Sequence, residues 1–333
     1  MDRPTIAVTI GQKHYNRMFS ERALQELKTM ANLVHHQGQE AASKEDLIAL
    51  LPGVDACITS WEVAPFEPDV VDAADQLKLI VHLGGSVKRY LTDAVWEKEI
   101  QVSSAAPALA IDVAETSLGL ILIGLKRLWP LAKTVRGGGW RDSPFWPAGE
   151  TFGRTVGVIG AGSVGRHVID LLQPFSVEVL VSDPYLEPGD LPPGKATQVD
   201  LDELLIRSDV ATLHAPGIAS TKHMLDAKRL AIMKEEAVLV NTARGSLIDE
   251  AALIERLEAH PQFFAFLDVT DPEPPAEDSP LRRLPNVVVT PHIAGCIRSC
   301  ARMSEWAVEE LRRFFAGEHL QNQIRPDEFS RIA

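Results

Sequence analysis

The chain contains 333 residues, and its content of 45% hydrophobic and 24% charged residues excludes a disordered, collagenous or coiled-coil protein. At roughly 100 to 200 residues per domain, this length favours two domains. The formal net charge of −13 repels polyanions, so nucleic acid is not expected as a primary ligand.

Cysteine content and apolar runs indicate the class of protein and its compartment. Three cysteines are too few for a disulfide framework, and no Cys/His spacing typical of zinc occurs, so the sequence predicts no metal site. Cys296 and Cys300 are four residues apart and are expected to pack on one face of the last helix. The amino terminus is too polar for a signal peptide, and the longest apolar run, Leu118 to Leu125, is far shorter than the roughly 20 residues of a membrane span. We therefore expect a soluble, cytoplasmic protein with no membrane partner.

Short β-branched runs alternate with helical patterns from residue 5 onward, which is typical of parallel sheets with crossover helices. The first strand-like runs read TIAVTI, DACIT, LKLIV and IQVSS and predict one small α/β unit. A helical stretch follows from Asp112 to Val135 and is apolar on all sides between Leu118 and Leu128, so every face requires cover. We interpret it as a domain-joining helix that also packs on a second subunit.

A second and more regular series begins at Thr155, with the runs TVGVIG, VEVLVS, DVATL, AVLVN, FFAFLDV and VVVT separated by helical patterns. A last helix is expected from Ile297 to Ala316, where Gly317 ends it. Its place after the final strand indicates that it crosses back to the first domain. The first domain is then discontinuous, and the second is inserted in it.

A glycine-rich turn opens the second series. Gly160, Gly162 and Gly165 form a G-x-G-x-x-G pattern between the strand VGVI and a helix that begins at Ser163. In that context the first glycine allows a tight turn, the second lets backbone approach a pyrophosphate, and the third lets the helix pack on the strand. The first amides of the helix then face the phosphates. The alternative interpretation is a tight turn without a ligand.

An acid follows at the spacing expected for ribose binding. Asp183 ends the next strand 18 residues after Gly165, close to the roughly 20 expected for the residue that holds the ribose hydroxyls. A carboxylate there repels a ribose 2′-phosphate, so the sequence favours NAD over NADP. The alternative is that Asp183 only starts the turn at Asp183-Pro184.

Three downstream segments carry a resemblance to a known family. They read NTARGSLIDE around Arg244, LDVTDPEP around Glu273 and TPHIAG around His292. Together they resemble the D-isomer-specific 2-hydroxyacid dehydrogenases, and the resemblance extends from Leu77 through the last helix.

The resemblance implies an α/β fold with two Rossmann/flavodoxin-like, doubly wound parallel-sheet domains. An NAD-binding domain at 108–295, which includes the long helix 112–135, is expected to be inserted in a substrate-binding domain made of 1–107 and 296–333. The active site is expected in the cleft between the domains. The resemblance also implies a homodimer formed through the long helix.

The chemistry of these side chains suits reduction of a 2-keto acid, which requires a hydride, a proton for the carbonyl oxygen and a cation for the carboxylate. Arg244 offers a bidentate guanidinium. His292 offers an imidazole whose ordinary pKa lies near neutrality. Glu273 is expected to orient that imidazole and favour its charged form. Taken singly, they are equally explained as a surface arginine, a packed histidine and a solvated loop acid, but all three follow strand ends, where α/β sheets bind ligands.

The resemblance implies further cofactor contacts. Asp268 matches an acid that contacts the nicotinamide carboxamide, and the alternative is a strand-end acid satisfied by backbone groups. His214 and Pro216 match a cofactor-side loop and are equally explained by a role in shaping it. The remaining implied cofactor-binding residues are Ser117, Ser163, Val164, Thr242 and Ala243.

The substrate side departs from the family. Where the family has a Val-Gly-Val-Asp type loop, amides of Gly84, Gly85 and Ser86 are the expected donors to the substrate carboxylate. The family's acid is missing, and Lys88 and Arg89 add two positive charges, which either attract a second anionic group or face water. The Asn-Ala-Pro pattern after the following strand is also absent. The identity of the 2-keto acid is therefore left open.

The sequence thus predicts an NAD-dependent oxidoreductase that interconverts a small 2-keto acid and its (R)-2-hydroxy acid. One alternative is an NADPH-preferring glyoxylate or hydroxypyruvate reductase. Another is a non-enzymatic dinucleotide-sensing protein, because corepressors with this family's architecture are known. The acidic charge and the three complete motifs favour the enzyme.

Overall fold

A computed structural model describes residues 3–143, 145, 147–187, 189–296, 300–327 and 329. The chain divides into two compact units, one formed by Met1–Leu109 with Cys296–Ala333 and the other by Ala110–Gly295. Each unit has a sheet of its own.

The strands of the described residues are β1 (Thr5–Val8), β2 (Asn32–His35), β3 (Ala56–Ser60), β4 (Leu79–Leu83), β5 (Gln101–Ser104), β6 (Arg154–Ile159), β7 (Val177–Ser182), β8 (Thr197–Gln198), β9 (Val210–Leu213), β10 (Val238–Asn241), β11 (Phe264–Leu267), β12 (Val287–Val289) and β13 (Gln323–Ile324). The α-helices are α1 (Gln12–Met18), α2 (Glu21–Met30), α3 (Lys44–Leu50), α4 (Pro68–Ala73), α5 (Asp93–Glu97), α6 (Ala106–Leu125), α7 (Leu128–Arg136), α8 (Ser163–Leu172), α9 (Leu201–Arg207), α10 (Ala227–Ile232), α11 (Glu250–Ala259) and α12 (Ala301–Phe315).

The sheet of the discontinuous unit has the order β13-β5-β4-β3-β1-β2. Its neighbours are parallel except for β13, which runs antiparallel to β5. Both faces are buried: Ile6 and Val8 of β1 enter one apolar cluster, and Ala7 enters the other. Met303 and Leu311 of α12 complete the first cluster. Because β13 and α12 come from the end of the chain, the second unit is inserted in the first, as predicted.

The sheet of the inserted unit has the order β12-β11-β10-β9-β6-β7-β8 and is entirely parallel. Within β10, Val238 and Val240 face one apolar cluster and Leu239 faces the other. The strand order reverses between β6 and β9, and α/β sheets bind ligands at the carboxyl edge beside such a switch point. The two α/β sheets confirm the predicted fold class.

The prediction of one helix from Asp112 to Val135 is wrong, because the chain forms two helices, α6 and α7, with a break at Arg127. This residue has the left-handed φ of 54°. Its guanidinium donates to the carbonyl oxygen of Gln262 at 3.2 Å and to that of Glu236. The break thus coincides with hydrogen bonds from the Arg127 side chain to two carbonyl groups that are distant in sequence. The local helical pattern does not predict this break.

By length and composition alone, α6 could cross a membrane. The sequence analysis missed this because it counted only the uninterrupted apolar run. A core helix of a soluble protein passes the same test, and Ala114, Ser117 and Ile121 of α6 are fully buried. Ala114 and Ile121 belong to an apolar cluster of the inserted unit, so this face of α6 is part of its core.

The last helix was predicted from Ile297 to Ala316 and is observed as α12; residues 297–299 lie outside the described part of the chain. Cys300 immediately precedes α12, and Cys296 has a φ of 22° outside it. The two cysteines therefore do not share a helix face, contrary to prediction. Their Cα atoms lie 5.2 Å apart.

Candidate active site

The glycine-rich turn joins β6 to α8 at the carboxyl edge of the inserted sheet. Gly160 has a φ of 94°, and a Cβ there would lie 2.7 Å from the amide nitrogen of Ala215. A Cβ at Gly165 would lie 2.0 Å from the Gly160 carbonyl oxygen. Gly162 faces open space and starts α8 without a side-chain cap. Open access to uncapped helix amides fits a pyrophosphate. The residues that open the helix are Ser163 and Val164.

Asp183 follows β7 and reaches back to the glycine-rich turn. Its Oδ2 accepts a hydrogen bond from the amide of Ala161 at 2.7 Å, and its Oδ1 accepts one from the amide of Tyr185 at 2.8 Å. The residue therefore both shapes its own turn and places a carboxylate beside the glycine-rich turn. The two interpretations weighed from the sequence are compatible.

Three neighbouring strands position the predicted catalytic residues. β10, β11 and β12 are adjacent and parallel, and their last residues pair in register. The connections that follow them therefore leave the sheet at one edge. The predicted side chains on these connections are Arg244 after β10, Glu273 after β11 and His292 after β12.

Glu273 and His292 are in direct contact. His292 Nδ1 lies 2.7 Å from Glu273 Oε1, and the two side chains are 51% and 43% exposed. A carboxylate can only accept a hydrogen bond, so Nδ1 carries the proton in this pair. The contact therefore fixes the tautomer of the imidazole and leaves Nε2 for exchange of a proton with a ligand.

Arg244 is held by the backbone of its own connection. Its Nη1 donates to the carbonyl oxygen of Ala243 at 2.7 Å. Asn241 is fully buried at the end of β10; its Oδ1 accepts from the amide of Ala243 at 3.0 Å, and its Nδ2 donates to the carbonyl of Arg244 at 2.9 Å. The sequence analysis did not identify Asn241. An asparagine at the end of an apolar strand nevertheless indicates side-chain hydrogen bonds to the backbone of the following turn.

Asp268 holds the segment that carries His292. This carboxylate is 1% exposed and accepts hydrogen bonds from the amides of Ile293 and Ala294 at 2.8 and 2.7 Å and from Thr290 Oγ1 at 2.5 Å. The backbone of His292 has a φ of 53°, and its amide donates to the Asp268 carbonyl at 2.9 Å. Asp268 is therefore bonded to backbone amides, as expected for an acid at a strand end. Its contact with nicotinamide remains a prediction.

The other implied cofactor residues lie near the same sheet edge. Ser117 Oγ donates to the Val113 carbonyl at 2.8 Å, so the hydrogen bond of 2.8 Å between Ser117 and Thr242 is donated by Thr242 Oγ1. Both hydroxyls are buried, which makes this pair a packing contact between α6 and the end of β10.

His214 and Pro216 shape the connection after β9. The His214 ring is buried, which lowers its pKa to about 3, and its Nε2 pairs with Thr212 Oγ1 at 2.9 Å. The carbonyl oxygen of Pro216 accepts from Thr221 Oγ1 at 2.5 Å. The neutral, inward-facing imidazole supports the loop-shaping interpretation, and its direct contact with a cofactor remains a prediction.

The predicted substrate loop follows β4 in the discontinuous unit. The amide of Gly84 donates to the His82 carbonyl at 3.1 Å, and Ser104 Oγ donates to the Gly84 carbonyl at 3.2 Å. The ring of His82 lies beneath the loop, pairs with Thr59 Oγ1 at 2.9 Å, and has its pKa lowered to about 4 by burial. The residues that follow Gly84 in this loop are Gly85 and the partly exposed Ser86.

The sequence also matches a known family over more than half of its length. The model of the NAD-binding domain of D-isomer specific 2-hydroxyacid dehydrogenases covers residues 118–294. The chain belongs to this family. The matched model is that of the family's NAD-binding domain, and the glycine-rich turn and the Glu273–His292 pair lie within the matched segment.

Several known proteins are similar over most of this chain. D-3-phosphoglycerate dehydrogenase of Methanocaldococcus jannaschii is 33% identical over 85% of this chain and 54% of its own length. The chain thus spans about half the length of several curated dehydrogenases it matches. Hydroxypyruvate reductase of Thermotoga maritima is 32% identical over 87% of this chain and 93% of its own length. The acyclic imino acid reductase Bsp5, solved with NADPH and D-Arg, is 25% identical with a TM-score of 0.77, covering 96% of this chain and all of the other.

Proposed function

We propose that the protein is an NAD-dependent D-2-hydroxyacid dehydrogenase that interconverts a small 2-keto acid and its (R)-2-hydroxy acid. The observation that carries this proposal is the 2.7 Å contact between His292 Nδ1 and Glu273 Oε1 at the carboxyl edge of the inserted sheet. The neighbouring connection supplies Arg244, a permanent cation suited to the substrate carboxylate.

Each side chain has a distinct task in keto-acid reduction. NADH, when bound, supplies the hydride to the carbonyl carbon. His292 gives the proton on Nε2 to the carbonyl oxygen, and in the reverse direction it accepts that proton from the hydroxyl. Glu273 keeps the proton on Nδ1 and stabilises the charged imidazole. Arg244 pairs with the substrate carboxylate and polarises the carbonyl.

The turn between β6 and α8 is the site we assign to the dinucleotide. The helix amides opened by Gly162 receive the pyrophosphate, and Asp183 receives the ribose hydroxyls and disfavours a 2′-phosphate. We extend the assignment to the amides of Gly85 and Ser86 as donors to the substrate carboxylate; the Gly84 amide, also predicted as a donor, is bonded to the His82 carbonyl instead. The remaining cofactor-side residues in this proposal are Ser117, His214, Pro216, Thr242, Ala243 and Asp268.

We also propose a cytoplasmic homodimer. Exposed apolar side chains support the dimer, because Leu128 and Trp129 of α7 are 53% and 46% exposed. They lie in the region that the sequence assigned to subunit contact.

One further candidate is a glyoxylate or hydroxypyruvate reductase that uses NADPH for the same chemistry, since the structurally similar acyclic imino acid reductase Bsp5 was solved with NADPH. Asp183 argues against it, because a 2′-phosphate would meet a carboxylate that is already fixed by two backbone amides.

The test is turnover of NADH and of NADPH with pyruvate, 2-ketobutyrate, glyoxylate, hydroxypyruvate and phosphohydroxypyruvate. Wild-type protein should reduce at least one of these acids, with NADH preferred over NADPH. In His292→Gln the rate of keto-acid reduction should fall about a hundredfold or more. Preference for NADPH would select the alternative. Binding of NADH without turnover of any acid would contradict the proposed activity.

A further inference from the structure

Glu250 lies at the start of α11, six residues after Arg244 on the same connection. Asp249 caps this helix by accepting from the amide of Ala252 at 3.2 Å. Glu250 is therefore not needed as the cap. Its Oε2 instead accepts a hydrogen bond from the amide of Asp271 at 3.4 Å, on the connection that follows β11.

Two contacts join these connections. A Cβ on Gly245 would lie 2.0 Å from the carbonyl carbon of Thr270, so the two backbones touch directly. The bond from Asp271 to Glu250 adds a second contact only two residues before Glu273. The same segment is turned on itself by Thr270 Oγ1, which donates to the carbonyl of Pro272 at 2.8 Å.

The segment needs such support because Glu273 is 43% exposed and its carboxylate must meet His292 in one orientation. A half-exposed side chain on a long connection retains rotamer freedom unless its backbone is fixed. Glu250 supplies a fixed acceptor, since it projects from the first turn of a helix whose other face is in the core.

We propose that Glu250 is a positioning residue that holds segment 270–273 so that Glu273 can orient His292, and thereby couples the Arg244 and Glu273 connections. This inference rests on the proposed function, in which Glu273 and His292 act on the substrate. Glu250 itself touches neither substrate nor cofactor in this account.

The electrostatic surroundings of Glu250 agree with this role. Burial raises the pKa of Glu250, and the nearby carboxylate of Asp271 raises it further, while the hydrogen bond from the Asp271 amide opposes both effects. The amide is thus a favourable partner that offsets the desolvation of the carboxyl group. A neutral glutamine at this position keeps an acceptor oxygen at the same reach.

The kinetic experiment compares Glu250→Ala, Glu250→Gln and Glu250→Asp, using hydroxypyruvate and NADH as probes. Loss of the single bond should lower kcat/KM about three- to tenfold in Glu250→Ala, with the Kd for NADH unchanged. Glu250→Asp retains the charge but has a shorter reach, so it should resemble Glu250→Ala. Glu250→Gln should retain wild-type efficiency. The matched control is Glu258→Ala, an exposed glutamate on the same helix.

A double variant separates positioning from general damage. If Glu250 acts through Glu273, Glu250→Ala should cause no further loss in a Glu273→Gln background. An equal loss in both backgrounds, or wild-type efficiency in Glu250→Ala, would overturn the proposal. Thermal unfolding of each variant identifies any that fail to fold, in which case Glu250→Asp replaces Glu250→Ala.

A spectroscopic comparison tests the same point without turnover. The ring signals of His292 in protein labelled with 13C-histidine, assigned with His292→Gln, should move in Glu250→Ala toward their positions in Glu273→Gln. Glu250→Gln and Glu258→Ala should leave them in place. If wild-type protein reduces none of the keto acids, the proposed function fails, and unmoved His292 signals in Glu250→Ala would reject the positioning role independently.

Discussion

At the level of single residues, Arg244 combines a fixed backbone with a planar cation. Arg244→Lys keeps the charge but loses the fork that can grip a carboxylate with two hydrogen bonds, so kcat/KM for the keto acid should fall about 10- to 100-fold. The Kd for NADH should change far less than kcat/KM, because the turn assigned to the pyrophosphate is on another connection. Steady-state kinetics and NADH titration measure the two quantities. Unchanged keto-acid turnover would make Arg244 a structural residue.

The Glu273–His292 pair predicts opposite pH dependence for the two directions. Reduction needs a protonated imidazole and oxidation a neutral one. Glu273→Gln removes a negative charge 2.7 Å from Nδ1, which disfavours the protonated ring, so the alkaline limit of reduction should move to lower pH. The measurement is kcat/KM for reduction across pH in wild type and variant. Superimposed alkaline limits in the two proteins would show that Glu273 does not tune His292.

At the level of elements, the strand–turn–helix unit from β6 to α8, with Asp183 at the end of β7, predicts the choice of cofactor. Asp183→Asn removes the negative charge but keeps an acceptor for one backbone amide. It should therefore narrow the preference for NADH over NADPH, mainly by weakening NADH. Asp183→Ala should do the same and also lower stability, because both of its amide contacts are lost. The measurement is kcat/KM with NADH and with NADPH for each protein. Equal values for the two cofactors in wild-type protein would refute the assignment of Asp183 to the ribose.

The elements also show which features can be predicted from a sequence. The glycine turn, the strand ends and the three motifs that carry Arg244, Glu273 and His292 are predictable because they depend on local period and spacing. The break at Arg127 depends on carbonyl oxygens more than 100 residues away along the chain, so no local pattern contains it. The hydrogen bonds between Asp268 and the segment that carries His292 are not predictable for a similar reason. They depend on the pairing of β11 with β12, which the local sequence does not reveal.

At the level of the whole molecule, buried neutral histidines predict how stability depends on pH. His82 has a folded-state pKa of about 4 against an ordinary value of 6.5. Between these two pH values His82 is protonated in the unfolded chain but not in the folded one. The free energy of unfolding therefore falls by about 3 kcal/mol for this group as pH drops from about 6.5 to about 4.

The matched variant for this prediction is His82→Gln, which does not titrate. Its free energy of unfolding should decline less steeply than that of wild type over this pH window, although His214 contributes a similar slope in both proteins. Urea unfolding at a series of pH values measures the difference. Equal slopes would mean that His82 is protonated in the folded protein.

The insertion of one unit in the other has a consequence for synthesis on the ribosome. Residues 1–109 emerge before the inserted unit, yet the apolar face formed by Ile6, Val8 and Ile58 is covered by α12, which is translated after that unit. The inserted unit is continuous and can complete its sheet beforehand. A fragment of residues 106–295 should therefore accumulate in soluble form, whereas a fragment of residues 1–109 should aggregate or be held by chaperones. The nascent protein must keep β1 and β3 from misassociating until α12 is made.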